Sequence, residues 1–280
     1  INQTYHNLEI IIVDDNKNMK IRDEVRSIID KLDDKRIISV FNKENIGGAL
    51  SRNEGIKISN GKYIAFLDDD DEYMPNKISE QLKIFEESKD KKLALVYAYC
   101  VEMGSSNGYR KYCNDYTGNC LYEGMVDCIA ATSQWMCSKL ALEDIGMFSD
   151  VPCKQDSTVI LKLLIAGYSL DRVDKFLSIY HTDEEIRISS ANHSKRIYGE
   201  EALRGLCREH YDKLEDNQKW EVEYSFACRL AEHYFALGMK EKLKREMKMI
   251  FKYPLRRKSL RVYKHMMEVF GAKLQNLRKK

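Results

Sequence analysis

Two hydrophobic rhythms run along the chain, and one gives way to the other near residue 194. In the first part, short apolar runs predict strands at Leu8–Val13 (broken only by Glu9), Arg36–Phe41, Tyr63–Leu67, Leu93–Val101 and Phe176–Tyr180. Between them, apolar residues at three- and four-residue spacing predict helices. One spans 20–32 (Ile21, Val25, Ile28, Ile29, Leu32), one starts near Ala49, and one follows Pro75 (Ile78, Leu82, Phe85). Another runs from Thr158 to Leu164 and stops at Gly167. Strands alternating with helices imply an α/β layout.

From Ser194 onward only the helical rhythm remains. Val222, Phe226, Leu230 and Leu237 form one stripe, and Met239, Leu243, Met247 and Ile250 another. Leu260, Tyr263, Met267, Phe270, Leu274 and Leu277 continue the pattern.

Charge follows the same division. Residues 195–280 hold 22 Lys/Arg against 12 Asp/Glu, whereas the whole chain is only +2, so residues 1–194 carry −8. No apolar run approaches the ~20 residues that cross a bilayer. The eight cysteines include no Cys-x-x-Cys pair, which argues against a zinc site or disulfide framework and for reduced thiols.

The chemistry concentrates in Asp68-Asp69-Asp70-Asp71, directly after the Tyr63–Leu67 run. Carboxylates at the carboxyl end of a strand lie where open α/β sheets bind ligands. Four like charges in a row call for a cation, and hard oxygens suit Mg²⁺ or Mn²⁺ carrying phosphates. An acidic turn that simply caps the next helix is the alternative. Asp14-Asp15-Asn16 ends the first strand, either against a nucleotide or as an Asx turn. Asn45-Ile46-Gly47-Gly48 lets backbone approach a ligand, and Arg52 one turn later can fork onto a phosphate or sit as a surface cation. The polar, Gly-rich stretch 104–119 reads as a long loop, either contacting an acceptor or merely variable.

Four blocks together carry a family resemblance. They are Asn2-Gln3-Thr4-Tyr5 with Leu8–Asp15; Asn45–Gly48 with Arg52-Asn53-Glu54-Gly55; Gly61–Pro75; and Gln155-Asp156 before an apolar helix. In this order they resemble the family-2 glycosyltransferases, over roughly residues 1 to 190. The resemblance implies the GT-A nucleotide-diphospho-sugar transferase fold, a Rossmann-like mixed sheet flanked by helices. Against the family pattern, the chain lacks the opening strand and nucleobase-cradling turn at its N-terminus.

By that resemblance, residues 1–193 are the catalytic domain, nucleotide-binding to about 95 and acceptor-binding from about 96, and 194–280 is a basic helical extension. Asp14, Asp15, Arg52, Asp68 and Asp69 would hold the nucleotide, and Asp70, Asp68 and His181 the metal. Asp156 would be the catalytic base, where relatives have Glu-Asp for Gln155-Asp156. Asp156 as a helix cap and His181 as a structural strand-end residue are the alternatives. Ser133–Cys137 would line the acceptor cleft, Leu142–Phe148 resembles a Gly-Gly-Phe turn with Met147 replacing the second glycine, and Arg187–Ser190 a closing segment.

The implied function is inverting, metal-dependent sugar transfer from a nucleotide-sugar, UDP-sugar favoured, to a glycan or lipid-linked acceptor in bacterial-type cell-surface polysaccharide synthesis. A nucleotidyltransferase and a non-catalytic nucleotide- or glycan-binding remnant stay open as alternatives. Residues 240–280 carry 15 basic and 3 acidic residues. They suggest a cytoplasmic protein held at the inner face of the plasma membrane, or a helical hairpin with a solvated basic face. Nucleic acid is not expected, because no aromatic-basic platform appears.

Overall fold

The computed structural model describes residues 1–104, 108–181 and 192–252. The chain divides into two compact units, Ile1–Ser190 and Ala191–Lys280. The expected closing segment Arg187–Ser190 and the helical stripes beyond 252 lie outside the described residues.

In the first unit, β1 (Ile10–Asp14) and β2 (Ile37–Phe41) pair in parallel, joined by α1 (Met19–Leu32). α2 (Gly48–Ile58) packs close to β1: a Cβ added at Gly55 would meet Val13 Cγ2 at 3.4 Å. α1 is the helix that the spacing predicts over 20–32, although Ile21, Ile28 and Leu32 are exposed on it. The buried residue of this helix is Arg22, which donates to the carbonyls of Asn16 and Asn42. Those two bonds tie the carboxyl ends of β1 and β2 together.

A second, six-stranded sheet has the order β3-β7-β5-β8-β4, with β6 also on β5. Its members are β3 (Tyr63–Ala65), β4 (Asp71–Tyr73), β5 (Leu93–Gly104), β6 (Gly108–Tyr112), β7 (Trp135–Ser138) and β8 (Ser169–His181). β5 is central and parallel to β8, and it is apolar from Leu93 to Val101, where both faces are covered. Leu95 and Tyr97 join a core with Trp135, Phe148 and the residues Val159, Ile160 and Leu163 of α6 (Gln155–Ile165), to which α4 (Leu121–Val126) adds Leu121 and α5 (Lys139–Asp144) adds Ala141 and Leu142. Val96 and Ala98 face the other way, onto Ile84 and Phe85 of α3 (Lys77–Glu87) with Val173 and Leu177. The two-residue period thus assigns each side chain to one layer.

Two expectations change here. The 104–119 stretch is not all loop, since Gly108–Tyr112 pairs antiparallel with the end of β5. The strand entering the acidic run is also shorter, ending at Ala65. Past it the Asp68 amide donates to Ser133 Oγ at 3.1 Å, and the Asp71 amide closes a turn on the Asp68 carbonyl at 3.0 Å. The chain then returns as β4, antiparallel to β8.

In the second unit, α7 (His193–Glu209), α8 (Asp216–Ala236) and α9 (Lys240–Lys252) pack through Ile197, Leu230 and Tyr234, and through Ala227, Ala231 and Ile250. A buried ionic knot sits among them: Arg204 meets Glu223 at 2.5 Å and Glu246 at 3.0 Å.

Candidate active site

The ends of β1 and β2 build a fixed platform. Asp15 accepts the backbone amides of Ile46 and Gly47 at 2.9 and 2.8 Å, and the Asn42 amide at 2.8 Å. Burial would raise its pKa, but these donors outweigh it and hold the carboxyl below the usual range. Gly47 has φ +84°, a backbone that favours glycine, and it leads directly into α2. Asp15 therefore clasps the 45–47 turn. Asp14 forms the Asx turn anticipated as an alternative, its Oδ1 accepting the Asn16 backbone and side-chain amides at 2.7 and 2.8 Å. Its Oδ2 is buried without a hydrogen-bond partner.

Arg52 reaches across from α2. Its Nη2 lies 2.5 Å from Asp68 Oδ1 and its Nη1 2.7 Å from Gln155 Oε1. One guanidinium thus joins the acidic turn to the first turn of α6, and its carbon lies 5.6 Å from the Phe148 ring centroid. Phe148 is itself clamped through its backbone by Asn53, with N and O each 2.9 Å from the Asn53 side chain. The turn before it places Gly146 and Met147 at φ +71° and +57°, so Met147 takes a left-handed backbone where the family pattern has glycine.

Within the acidic turn the four aspartates differ sharply. Asp68 is paired with Arg52, while Asp69 and Asp70 are exposed and make no hydrogen bond or ion pair with another described residue. Asp71 is buried with neither carboxylate oxygen hydrogen-bonded. Burial is the main cause that pushes its pKa up to about 6, reinforced by the charges of Asp68 and Asp70. Tyr73 fastens the turn by donating its hydroxyl to the Phe66 carbonyl. His181 meets Glu72, with Nε2 3.0 Å from Oε1. Among the described residues, no three carboxylate, imidazole or thiol groups gather into a metal cluster.

Asp156 occupies the second position of α6, after Lys154 at the N-cap with φ +62°, so it is not the cap itself. Its Oδ1 accepts the Ser157 amide at 2.7 Å, and the Cys128 thiol lies 3.7 Å from Oδ2. Burial first, then the Asp156 charge, push the Cys128 pKa up to about 12, so the thiol stays protonated and donates.

Of the residues expected from sequence, Arg52, Asp68 and Gln155 are joined by hydrogen bonds, with Asp156 next to Gln155, and Ser133 of the expected acceptor lining meets the Asp68 amide; Arg22, Asn42 and Cys128 carried no such expectation. Asn42 follows a strand end, and Arg22 interrupts an apolar stripe. Both are weak signals by themselves.

Residues 1–141 match the family profile described as Glycosyl transferase family 2. A β-1,3-glucosyltransferase from Escherichia coli, named as using UDP-Glc and α-D-GlcNAc-diphosphoundecaprenol, is 45% identical over 89 residues, covering 32% of this chain and 34% of that protein. An uncharacterized glycosyltransferase of Rickettsia felis is 31% identical over 238 residues, covering 82% of this chain and 38% of its own. The chain thus spans about a third of the length of these curated relatives. Among solved structures, S. aureus TarS 1–349 in complex with UDP-GlcNAc matches with TM-score 0.60 at 16% identity, over 84% of this chain and 66% of that one. The mannosyltransferase PcManGT from Pyrobaculum calidifontis, with GDP-Man and Mn²⁺, matches with TM-score 0.55 at 14% identity, over 98% and 73%. The fold is the expected GT-A fold.

Proposed function

The chain belongs to glycosyl transferase family 2, and from that premise we propose that it moves a sugar from a nucleotide-sugar to a hydroxyl of a glycan or lipid-linked acceptor. The observation that carries this reading is Arg52, whose two hydrogen bonds join the acidic turn to the Asp156 end of α6. A donor's diphosphate on the acidic side and an acceptor hydroxyl at Asp156 would then meet around the anomeric carbon. Asp156 would take the acceptor proton in a single inverting displacement, a role typically worth about 10²–10⁴-fold in rate. Asp14, Asp15, Arg52, Asp68 and Asp69 would hold the nucleotide, Asp15 chiefly by fixing the 45–47 turn.

The acidic turn suits Mg²⁺ or Mn²⁺. Among the described residues Asp70 is exposed and unpaired, and Asp71 has two buried oxygens without hydrogen-bond partners. Mg²⁺ is commonly held by one or two carboxylates plus substrate phosphates, so a pre-assembled three-residue cluster is not required. Asp70 and Asp68 would be the ligands, with His181 following once Glu72 releases it. Such a cation offsets charge on the departing diphosphate.

A UDP-sugar is the favoured donor, and a lipid-linked acceptor in cell-surface polysaccharide synthesis fits the substrates for which the E. coli relative is named. Residues 1–193 would form the catalytic domain. The basic extension 194–280 would keep it on the inner, anionic face of the plasma membrane. The test is release of nucleoside diphosphate when acceptor is added to protein, nucleotide-sugar and Mn²⁺. A thermal-shift screen of nucleoside diphosphates identifies the base beforehand. Binding without acceptor-dependent release would reject transfer.

A further inference from the structure

Trp220 near the start of α8 and Phe251 near the end of α9 are 41% and 61% exposed. Lys252 Nζ lies 5.0 Å from the Trp220 ring centroid, so these two helix ends adjoin. Lys244, Lys248 and Lys252 recur every four residues along α9, all exposed, with Phe251 beside the last of them. The other face of α9 is spent on packing: Leu243, Met247 and Ile250 contact the Ala227, Cys228 and Ala231 side of α8. Of the two acids on this helix, Glu246 is buried against Arg204 and Glu241 stands at the opposite end. No ion pair closes on Lys244, Lys248 or Lys252 among the described residues.

A helix face that only had to be wetted would mix its charges and keep large aromatics covered. Cations of one sign edged by two exposed aromatics match the headgroup region of an anionic bilayer, where rings lie at the interface and lysines extend to phosphates. Single-stranded nucleic acid fits less well, because it stacks on open aromatic faces and Lys252 lies over the ring of Trp220.

We propose that Lys244, Lys248, Phe251 and Lys252 of α9, with Trp220 of α8, form a docking face for an anionic phospholipid surface. This rests on the membrane reading above and narrows it from the whole basic extension to one face.

The chain has two tryptophans, and Trp135 is fully buried, so fluorescence can report Trp220 separately. With vesicles of phosphatidylglycerol and brominated phosphatidylcholine, the full chain should lose its Trp220 emission, and Trp220→Phe should show no such quenching. The triple variant Lys244→Gln, Lys248→Gln, Lys252→Gln should partition about 100-fold more weakly, since each basic residue near such a surface is worth roughly fivefold. Its melting temperature should stay unchanged. Partition of the triple variant equal to wild type would overturn the docking face while leaving the membrane reading standing. Failure of wild type to bind these vesicles would overturn both, as would retention on single-stranded DNA in its place.

Discussion

Arg52 and Asp68 form an ion pair of 2.5 Å, and the same guanidinium continues to Gln155 at 2.7 Å. The amide at 155 accepts one hydrogen bond without adding charge, so among the described residues Arg52 has a single carboxylate partner and retains attraction for a diphosphate.

Arg52→Ala should therefore weaken Mn²⁺-dependent binding of nucleoside diphosphate roughly 10- to 100-fold, matching about 1.5–3 kcal/mol for a hydrogen bond to a charged group. Arg52→Lys should recover little of this, since one ammonium cannot reproduce the planar fork. Titration calorimetry gives the answer directly. Wild-type affinity in Arg52→Ala would place the phosphate elsewhere.

Asp70, like Asp69, is exposed without a hydrogen-bond or ion-pair partner among the described residues, and this suits direct ligation. Asp70→Ala should abolish the Mn²⁺-dependent part of nucleotide binding and leave the melting temperature of the ligand-free protein nearly unchanged. An unaltered response to Mn²⁺ would remove Asp70 from the metal.

Lys77 makes a prediction about stability and pH. It is fully buried, donates to Gln81 at 2.6 Å and lies 4.0 Å from the Tyr73 ring centroid. Burial drops its pKa to about 7, far below the unfolded value. Between pH 7 and about 10.4 the unfolded chain binds a proton that the folded one lacks, so stability from this group rises with pH. Urea unfolding should show wild type gaining a few kcal/mol, on the order of the pKa difference, from pH 7 to 10. Lys77→Met should flatten that rise. The same slope in both proteins would mean another group is responsible.

How far these features were legible depends on whether their causes are local. The β5 run could be read because each of its residues is apolar for its own layer. β4 could not: Asp71-Glu72-Tyr73 carries no strand signal, and its ladder comes from Ser178–Tyr180, a hundred residues away. In α1 the spacing of Ile21, Ile28 and Leu32 marks the helix but not its buried side, where Arg22 is held by two backbone carbonyls. The strand-end place of Asp15 suggests a nucleotide, and nothing local in the sequence shows that its carboxylate also holds the 45–47 turn. Pattern gives the position of such a group, and only folding reveals which donors arrive there.

In the second unit, Arg204 is almost fully buried between Glu223 and Glu246. Burial alone would raise the Glu223 pKa, but Arg208 and Arg204 outweigh it and bring it to about 2. That stability is present above the unfolded carboxylate pKa and is lost as pH falls from about 4 toward 2. Arg204→Ala leaves two buried carboxylates with a partner missing and should cost about 3–5 kcal/mol at neutral pH. Denaturant titration measures it, and a loss below 1 kcal/mol would show that the knot is dispensable.

The last prediction concerns the base. Asp156 is held by the Ser157 amide on one oxygen and faced by the Cys128 thiol on the other, so the carboxylate is oriented before any acceptor arrives. A base acts on the acceptor hydroxyl only as transfer proceeds, so its loss should lower turnover far more than donor affinity. Asp156→Asn keeps the size and the acceptor for Ser157 but removes the basic oxygen. Turnover should fall at least ~10²-fold, with donor binding nearly unchanged. Gln155→Ala should be milder, because an amide cannot take a proton at neutral pH, and its effect should appear in donor affinity through Arg52. Cys128→Ala should be milder still, a thiol being a weak donor. Near-normal turnover of Asp156→Asn would move the base to another residue, with His181 the next to replace.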